Sequence, residues 1–367
     1  MLPEARRYAV LLLAAPALAH LTLLGAIVLG RLTYPIDIEW MEGGVLTMAS
    51  RMQHGLPVYA NPSAGYAPFP YPFGYPLLLA LLGAIVGQSY VLGRLVSITF
   101  VTLAFVLVGR EVARAHHTWQ YRWAFGLAAA GFLAAGFPVV DGWYDLVRVD
   151  SMALALVVAA ACAVTVKPLT RSRLWLSAAS LALAANTKQT VAPFVIAVVL
   201  YAAWQHGRRG LLHGGLALAL FGLGFGAAEL SSEGAYSFYV VSLMAGHRMD
   251  LPRILEGLRL LLAFAPYAPL LLVAAAWLAW KKRLSPRAVL WGTLALLGWM
   301  FGATGLAKDG AHVNSLLPAV WFTPVFLLVV CGDAFAFTGA SRAGALVRTL
   351  TPPALAVGLA LLWYPVA

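Results

Sequence analysis

The chain alternates long apolar runs with short polar connections, and this pattern sets its architecture. From residue 9 onward, apolar stretches follow one another to the C-terminal end, most near the roughly 20 residues a helix needs to cross a bilayer. They lack the two-residue alternation of membrane strands, and a helix satisfies its own backbone hydrogen bonds in lipid. The pattern predicts an all-α, polytopic helical membrane protein. Candidate spans are Ala9 to Gly30, Tyr90 to Gly109, Trp123 to Val140, Val149 to Val166, Leu174 to Thr187, Gln189 to Trp204, Leu211 to Ala228, Gly257 to Trp280, Ala288 to Gly305, His312 to Cys331 and Leu350 to Val366. That makes about eleven transmembrane helices in a single transmembrane domain over 1–367. One further run, Phe73 to Gly87, measures only about 22 Å as a helix and reads as a re-entrant or juxtamembrane helix. Ahead of it, Gly43 to His54 reads as an amphipathic helix, so the first outer loop, 31–90, carries two short helices.

Composition strengthens this picture. Hydrophobic residues make up 62% of the 367 positions and charged residues 11%, with a mean hydropathy of +0.82. A soluble domain carries about a quarter charged residues, so a soluble enzyme is excluded. Ala17-Leu18-Ala19 resembles a signal-peptidase site, but the apolar run continues past it, which reads as an uncleaved signal anchor. Cys162 and Cys331 both lie in apolar runs and give neither a disulfide framework nor metal-type spacing. The net charge of +11 comes from basic residues between the spans. They act as topology signals and imply no nucleic-acid partner.

Charge also orients the chain. Placing Arg6, Arg7 and the basic connection from Arg110 to Arg122 on the cytoplasmic side gives an integral protein of the plasma (inner) membrane, N-terminus in and C-terminus out. The acids take no part in that assignment, yet only Glu4, Glu111 and Asp333 fall inside. The outer face therefore gathers acids and a set of cations into a candidate polar site. Its largest pieces are the loops Arg31 to Tyr71 and Glu229 to Glu256; the first runs into the Pro- and aromatic-rich stretch Y-A-N-P-S-A-G-Y-A-P-F-P-Y-P-F-G-Y-P.

Candidate chemistry begins with I-D-I-E-W-M-E-G-G, which holds Asp37, Glu39 and Glu42 just beyond the first span. Such acids can be a plain solvated loop. Trp40, Met41 and the Gly43-Gly44 pair instead suggest a close-packed, apolar setting, where a carboxylate is partly desolvated, holds a raised pKa and can act as a base or coordinate a divalent cation. Cofactors are otherwise unindicated, and no metal-ligand set stands out. In W-Y-D-L-V-R-V-D, Arg148 and Asp150 begin a span; two apart on a helix, they do not face each other, so each needs a partner elsewhere. They read either as a structural salt bridge or as an Arg that grips a phosphate through two donors, with Asp150 orienting it. Lys188, in the turn N-T-K-Q-T, either snorkels to headgroups or meets an anion, for which a lipid phosphate is suited. Similar arguments apply to His247 and Arg248 in G-H-R-M-D and to Lys308 and Asn314 in K-D-G-A-H-V-N. His247 and His312 more often serve structure than bind metal.

In order and layout these motifs resemble the GT-C glycosyltransferases, the polytopic enzymes that take sugars from polyprenyl-phosphate carriers. The chain is similar to those that modify lipid A with aminoarabinose and to the protein O-mannosyltransferases. D-I-E-W-M-E-G, R-M-Q-H-G-L-P-V-Y, P-F-P-Y-P-F-G-Y-P and Gly93-Arg94-Leu95 carry the resemblance, followed by Thr187-Lys188, His247-Arg248 and Lys308. The family's adjacent Asp-Glu pair is here spread over three acids. Counting back from Gly55 matches Glu42 to its second acid and puts Met41 where its Asp would be. The resemblance implies inverting sugar transfer from a polyprenyl-phosphate-linked donor, amid membrane lipids, to an unidentified lipid, glycan or protein acceptor on the outer face. It also implies donor-phosphate binding by Arg148, Lys188 or Lys308, and proton acceptance by Asp37, Glu42 or Glu39. Rival readings are a transporter or flippase for a lipid-linked or anionic substrate, and a non-catalytic GT-C-like subunit. Enzymes of this class often carry a soluble domain after the last span, and this sequence stops at Ala367, which suggests either a minimal form or a truncated chain.

Overall fold

A computed structural model describes residues 3–60, 66–338 and 342–362. Asn61 to Gly65 in the Pro-rich stretch, and the last residues of the expected final span, lie outside the described residues. Sixteen α-helices account for most of the chain, with no β-strand among the described residues. The protein is a polytopic helical membrane protein. Among the described residues, six helices are long and apolar enough to cross a bilayer, or seven if one bent pair counts as a span.

The chain divides into two compact units, Met1–Ile27 with Phe105–Asp141 and Asp250–Ala367, and Val28–Ala104 with Gly142–Met249. Two long helices, α1 (Pro3–Leu32) and α4 (Tyr90–Arg114), contribute to both.

The first unit also contains α5 (Trp119–Ala135) and the helices after residue 250. Small residues let its helices approach closely, as lipid-embedded interfaces favour. A Cβ on Gly131 of α5 would lie 2.6 Å from the Ala17 Cα of α1. The expected span from Gly257 to Trp280 is instead two helices, α12 (Pro252–Phe264) and α13 (Ala268–Trp280), bent by 77°. Pro266 lies at that break, and a proline supplies no N–H to carry a helix on. Beyond it, α14 (Pro286–Leu306) and α15 (Leu317–Thr338) form an extensive interface, and α16 (Arg342–Leu361) follows.

The second unit carries the first outer loop. The helices expected there are present as α2 (Glu42–Gln53) and α3 (Gly74–Val86), within a residue or so of the expected ends. Next come α6 (Val149–Val164), α7 (Arg171–Ala185), α8 (Ala192–His206) and α9 (Arg208–Ser231). Of these, α6, α7 and α8 hold only 15 or 16 residues. The apolar runs that predict them extend into turns at Thr165 and around Asn186, so hydropathy lengthens them beyond the helix itself. Two single turns, α10 (Ala235–Ser237) and α11 (Leu243–Ala245), flank a π-helical stretch over Phe238–Ser242. That segment contributes Tyr236 and Tyr239 to an aromatic core with Tyr59, Phe69 and Phe73.

Two close approaches fix α2 and α3. A Cβ on Gly44 would fall 1.7 Å from the Phe69 ring, and one on Gly74 would fall 2.7 Å from the Asn186 carbonyl oxygen. Only glycine fits at either place without displacing the neighbour. The Gly74 N–H also donates to that Asn186 carbonyl at 2.7 Å, so α3 is fastened to the turn that holds Lys188.

Candidate functional site

The acid loop, 33–41, has no helix of its own, and Arg94 on α4 holds it in place. Arg94 is fully buried. Its Nη1 donates to the Arg31 and Tyr34 carbonyls, its Nη2 to the Ile36 carbonyl and Glu42 Oε2, and its Nε to Glu42 Oε1. A guanidinium has five N–H groups, and all five are used. Glu42 is equally occupied: besides Arg94, it accepts the Ile38 N–H at 2.7 Å and the Val147 N–H at 2.8 Å. Burial pushes its carboxyl up, but the Arg94 and backbone hydrogen bonds outweigh that and hold it below the usual range. Glu42 is thus an anchored carboxylate with no oxygen left to receive a proton.

Asp37 lies on the opposite, exposed side of the same loop. Its Oδ1 accepts the Gly43 N–H at 2.7 Å, in the first turn of α2, where the helix end favours negative charge. The Tyr90 hydroxyl and Asp37 Oδ1 each lie 3.1 Å from where a Gly43 Cβ would be. Here the sequence pattern takes a direct meaning: Gly43 is small enough to let the acid and the phenol meet over the helix start.

Glu39 begins a second structure, a chain of alternating charges. Its Oε2 meets Arg148 Nη1 at 3.2 Å, while its Oε1 is buried with no hydrogen-bond partner among the described residues. Burial raises its carboxyl above the ordinary value even against Arg148. Arg148, 2% exposed at its side chain, donates Nη2 to the Tyr71 hydroxyl at 2.6 Å and stacks over the Trp143 ring, 4.5 Å from its centre. Its Nε lies 3.8 Å from Asp150 Oδ2, and the other Asp150 oxygen takes the Lys188 ammonium in a short hydrogen bond. Arg148 sits in extended backbone just before α6 rather than on the helix, which is how it approaches Asp150 despite the two-residue spacing. Lys188 is placed by its own turn: the neighbouring Gln189 donates to the Pro70 carbonyl at 2.8 Å.

The sequence singled out six of the residues gathered here: Asp37, Glu39, Glu42, Arg148, Asp150 and Lys188. His247 and Arg248 lie in the same unit but make no hydrogen bond or ion pair with this chain of charges. Lys308 and Asn314 belong to the other unit, where the Lys308 carbonyl accepts from Arg253 and His312 lies 3.5 Å from Asp141.

Four further participants carry no charge pattern of their own in the sequence. Arg94 and Tyr71 lie inside longer motifs, and Arg31 marks the start of a loop. Asp145 sits within W-Y-D-L-V-R-V-D beside the more prominent Arg148 and Asp150. It is buried, 3.3 Å from Arg31, and burial pushes its carboxyl up to about 6 despite that cation. A buried acid immediately before a span was the available signal.

No protein-family model matches the sequence, and no curated protein matches it. Among solved structures, ArnT from Cupriavidus metallidurans in the apo state superposes with a TM-score of 0.60 at 15% identity, over 94% of this chain and 76% of that one. The chain shares the fold of ArnT. The same ArnT bound to undecaprenyl phosphate gives a TM-score of 0.59 at 13% identity, over 93% of this chain and 75% of that one. The likeness to ArnT, at this identity, is one of fold, and the residues above are this chain's own. Among them no group of three or more His, Cys, Asp and Glu side chains is placed to hold a metal ion.

Proposed function

We propose that this protein is a membrane glycosyltransferase that moves a sugar from a polyprenyl-phosphate donor to an acceptor hydroxyl on the outer face of the plasma membrane, with inversion. The observation that carries this reading is the presence, in one unit, of an exposed, helix-anchored carboxylate, Asp37, and of the Glu39, Arg148, Asp150 and Lys188 chain, whose central Arg148 and Asp150 are buried. The bound undecaprenyl phosphate of the ArnT structure supports a donor of that class.

Arg148 and Lys188 are the donor-phosphate ligands in this scheme. Both already face acids, so a phosphate replaces Glu39 or Asp150 as partner and the cations stay compensated. As the bond between the anomeric carbon and the phosphate oxygen breaks, its electron pair leaves with the lipid phosphate. The two cations stabilise the added charge. Asp37 accepts the acceptor hydroxyl's proton while that oxygen bonds to the anomeric carbon from the opposite side. Glu42 holds the loop and takes no proton. Glu39 sits between the two functions, and its burial favours the protonated form over the carboxylate. His247 and Arg248, in the same unit, are secondary candidates for the donor.

The test is transfer of radiolabelled sugar from polyprenyl-phosphate donors by the purified protein in nanodiscs. Sugar transfer by the wild type that Asp37→Asn abolishes supports the reading. Lipid movement across the bilayer without sugar transfer would support a flippase instead.

A further inference from the structure

An open cavity of about 460 Å³ lies against α2 and the start of α4, lined by Leu46, Thr47, Ser50, Gln88, Ser89 and Tyr90. We propose that it is the acceptor subsite and that it takes an uncharged, hydroxyl-bearing sugar. The proposal rests on the transferase reading and adds the chemistry of the acceptor.

Three observations carry it. The volume falls in the range of small-molecule sites, about 300–1,000 Å³. The exposed lining is mostly apolar and carries no charge, with a few polar groups placed to read hydroxyls, as small-molecule sites are built. Thr47 donates its proton back to the Gly43 carbonyl, which leaves its oxygen lone pairs to accept. Ser89 Oγ accepts the Leu92 N–H, which leaves its proton to donate. Gln88 Oε1 is buried with no hydrogen-bond partner among the described residues. Finally, Tyr90 belongs to both the cavity and the acid, since its hydroxyl meets Asp37 over Gly43. A hydroxyl held at this wall is presented to the carboxylate that takes its proton.

The same geometry selects against anions. Asp37 is the charge at the cavity's edge, and no cation lines the wall to offset it. A phosphorylated acceptor meets like charge there. A neutral glycan does not.

The experiment measures binding first and turnover second, on the full chain in nanodiscs free of sugar detergents. Saturation-transfer NMR with methyl β-glucoside as probe and glucose 6-phosphate as comparator tests the ligand class. The neutral glycoside is expected to bind at least about tenfold more tightly, and Ser50→Trp, which fills the cavity, to weaken it about tenfold or more. Equal binding of the two probes, or binding unchanged by Ser50→Trp, overturns the proposal. Thr47→Val and Gln88→Ala, smaller changes that keep the fold if Ser50→Trp does not, are expected to weaken the same binding. In turnover, Ser50→Trp raises the acceptor KM and leaves the donor KM alone. Transfer that Ser50→Trp does not touch removes the subsite while the transferase stands. Glycoside binding without any transfer removes the transferase reading while the cavity stands.

Discussion

Arg94 and Glu42 form an ion pair with no exposure at either side chain, and the guanidinium and the carboxylate are 2.8 Å apart at their nearest atoms. Every polar hydrogen of the one and two contacts on each oxygen of the other are taken up inside the protein. The pair therefore acts as a clasp on the loop that presents Asp37. Breaking it from one side leaves a buried charge. Arg94→Ala or Glu42→Ala is expected to cost about 3–5 kcal/mol of stability, read as a fall in the midpoint of thermal unfolding in detergent. The double replacement Arg94→Met with Glu42→Leu is expected to cost less than the sum of the single ones, because no charge is stranded.

Asp37 is expected to behave differently. Asp37→Asn keeps the shape and can still accept the Gly43 N–H, so the unfolding midpoint should hold within a degree or two of wild type. Sugar transfer should fall by about 10²–10⁴ in kcat, the range lost with a general base. Glu42→Gln, by contrast, should lower stability together with activity.

Lys188→Ala strands Asp150 beside Arg148 and removes one phosphate ligand. Affinity for a polyprenyl phosphate, measured by fluorescence quenching, should weaken by about 1.5–3 kcal/mol, the value of a charge-assisted hydrogen bond. Arg148→Lys keeps the charge but loses the fork that spans Glu39 and Tyr71, and a comparable loss is expected.

The pH dependence of stability should carry the mark of Asp145. Its carboxyl is raised to about 6 in the folded protein, so the fold favours the protonated form. Its contribution is complete below the unfolded value near 4 and is lost as pH rises through about 6. Asp145→Asn removes that loss, worth at most about 3 kcal/mol. The wild type should therefore lose stability relative to Asp145→Asn mainly between about pH 4 and 6, with little further change above pH 7, as shown by unfolding midpoints across the range. Equal slopes for the two proteins would refute this.

The elements that local pattern controls were legible in the sequence. The short helices α2 and α3 announce themselves by length and by flanking glycine and proline, and Arg148, Asp150 and Lys188 stand out as charges beside apolar runs. What the sequence does not display is pairing at a distance. Arg94 meets Glu42 from 52 positions away, and Arg31 meets Asp145 from across α2, α3 and α4. No spacing rule connects such residues, because they are joined by helix packing. Glu42 illustrates the consequence. Motif counting favours it as a base, whereas its four donors make it a fixture. The break at Pro266 escapes hydropathy for a related reason: an apolar sum runs over a proline that backbone hydrogen bonding cannot ignore.

Tyr90 opens the helix that Arg94 occupies one turn later, and Arg94 ties down the acid loop by two of its carbonyls and its flanking helix ends by the Arg31 carbonyl and the Glu42 carboxylate. The wall of the cavity and the loop bearing Asp37 are thus carried by one rigid rod. Any tilt of α4 moves both together, so their spacing survives motions that would scatter a site assembled from independent loops. The protein can flex here without losing that alignment.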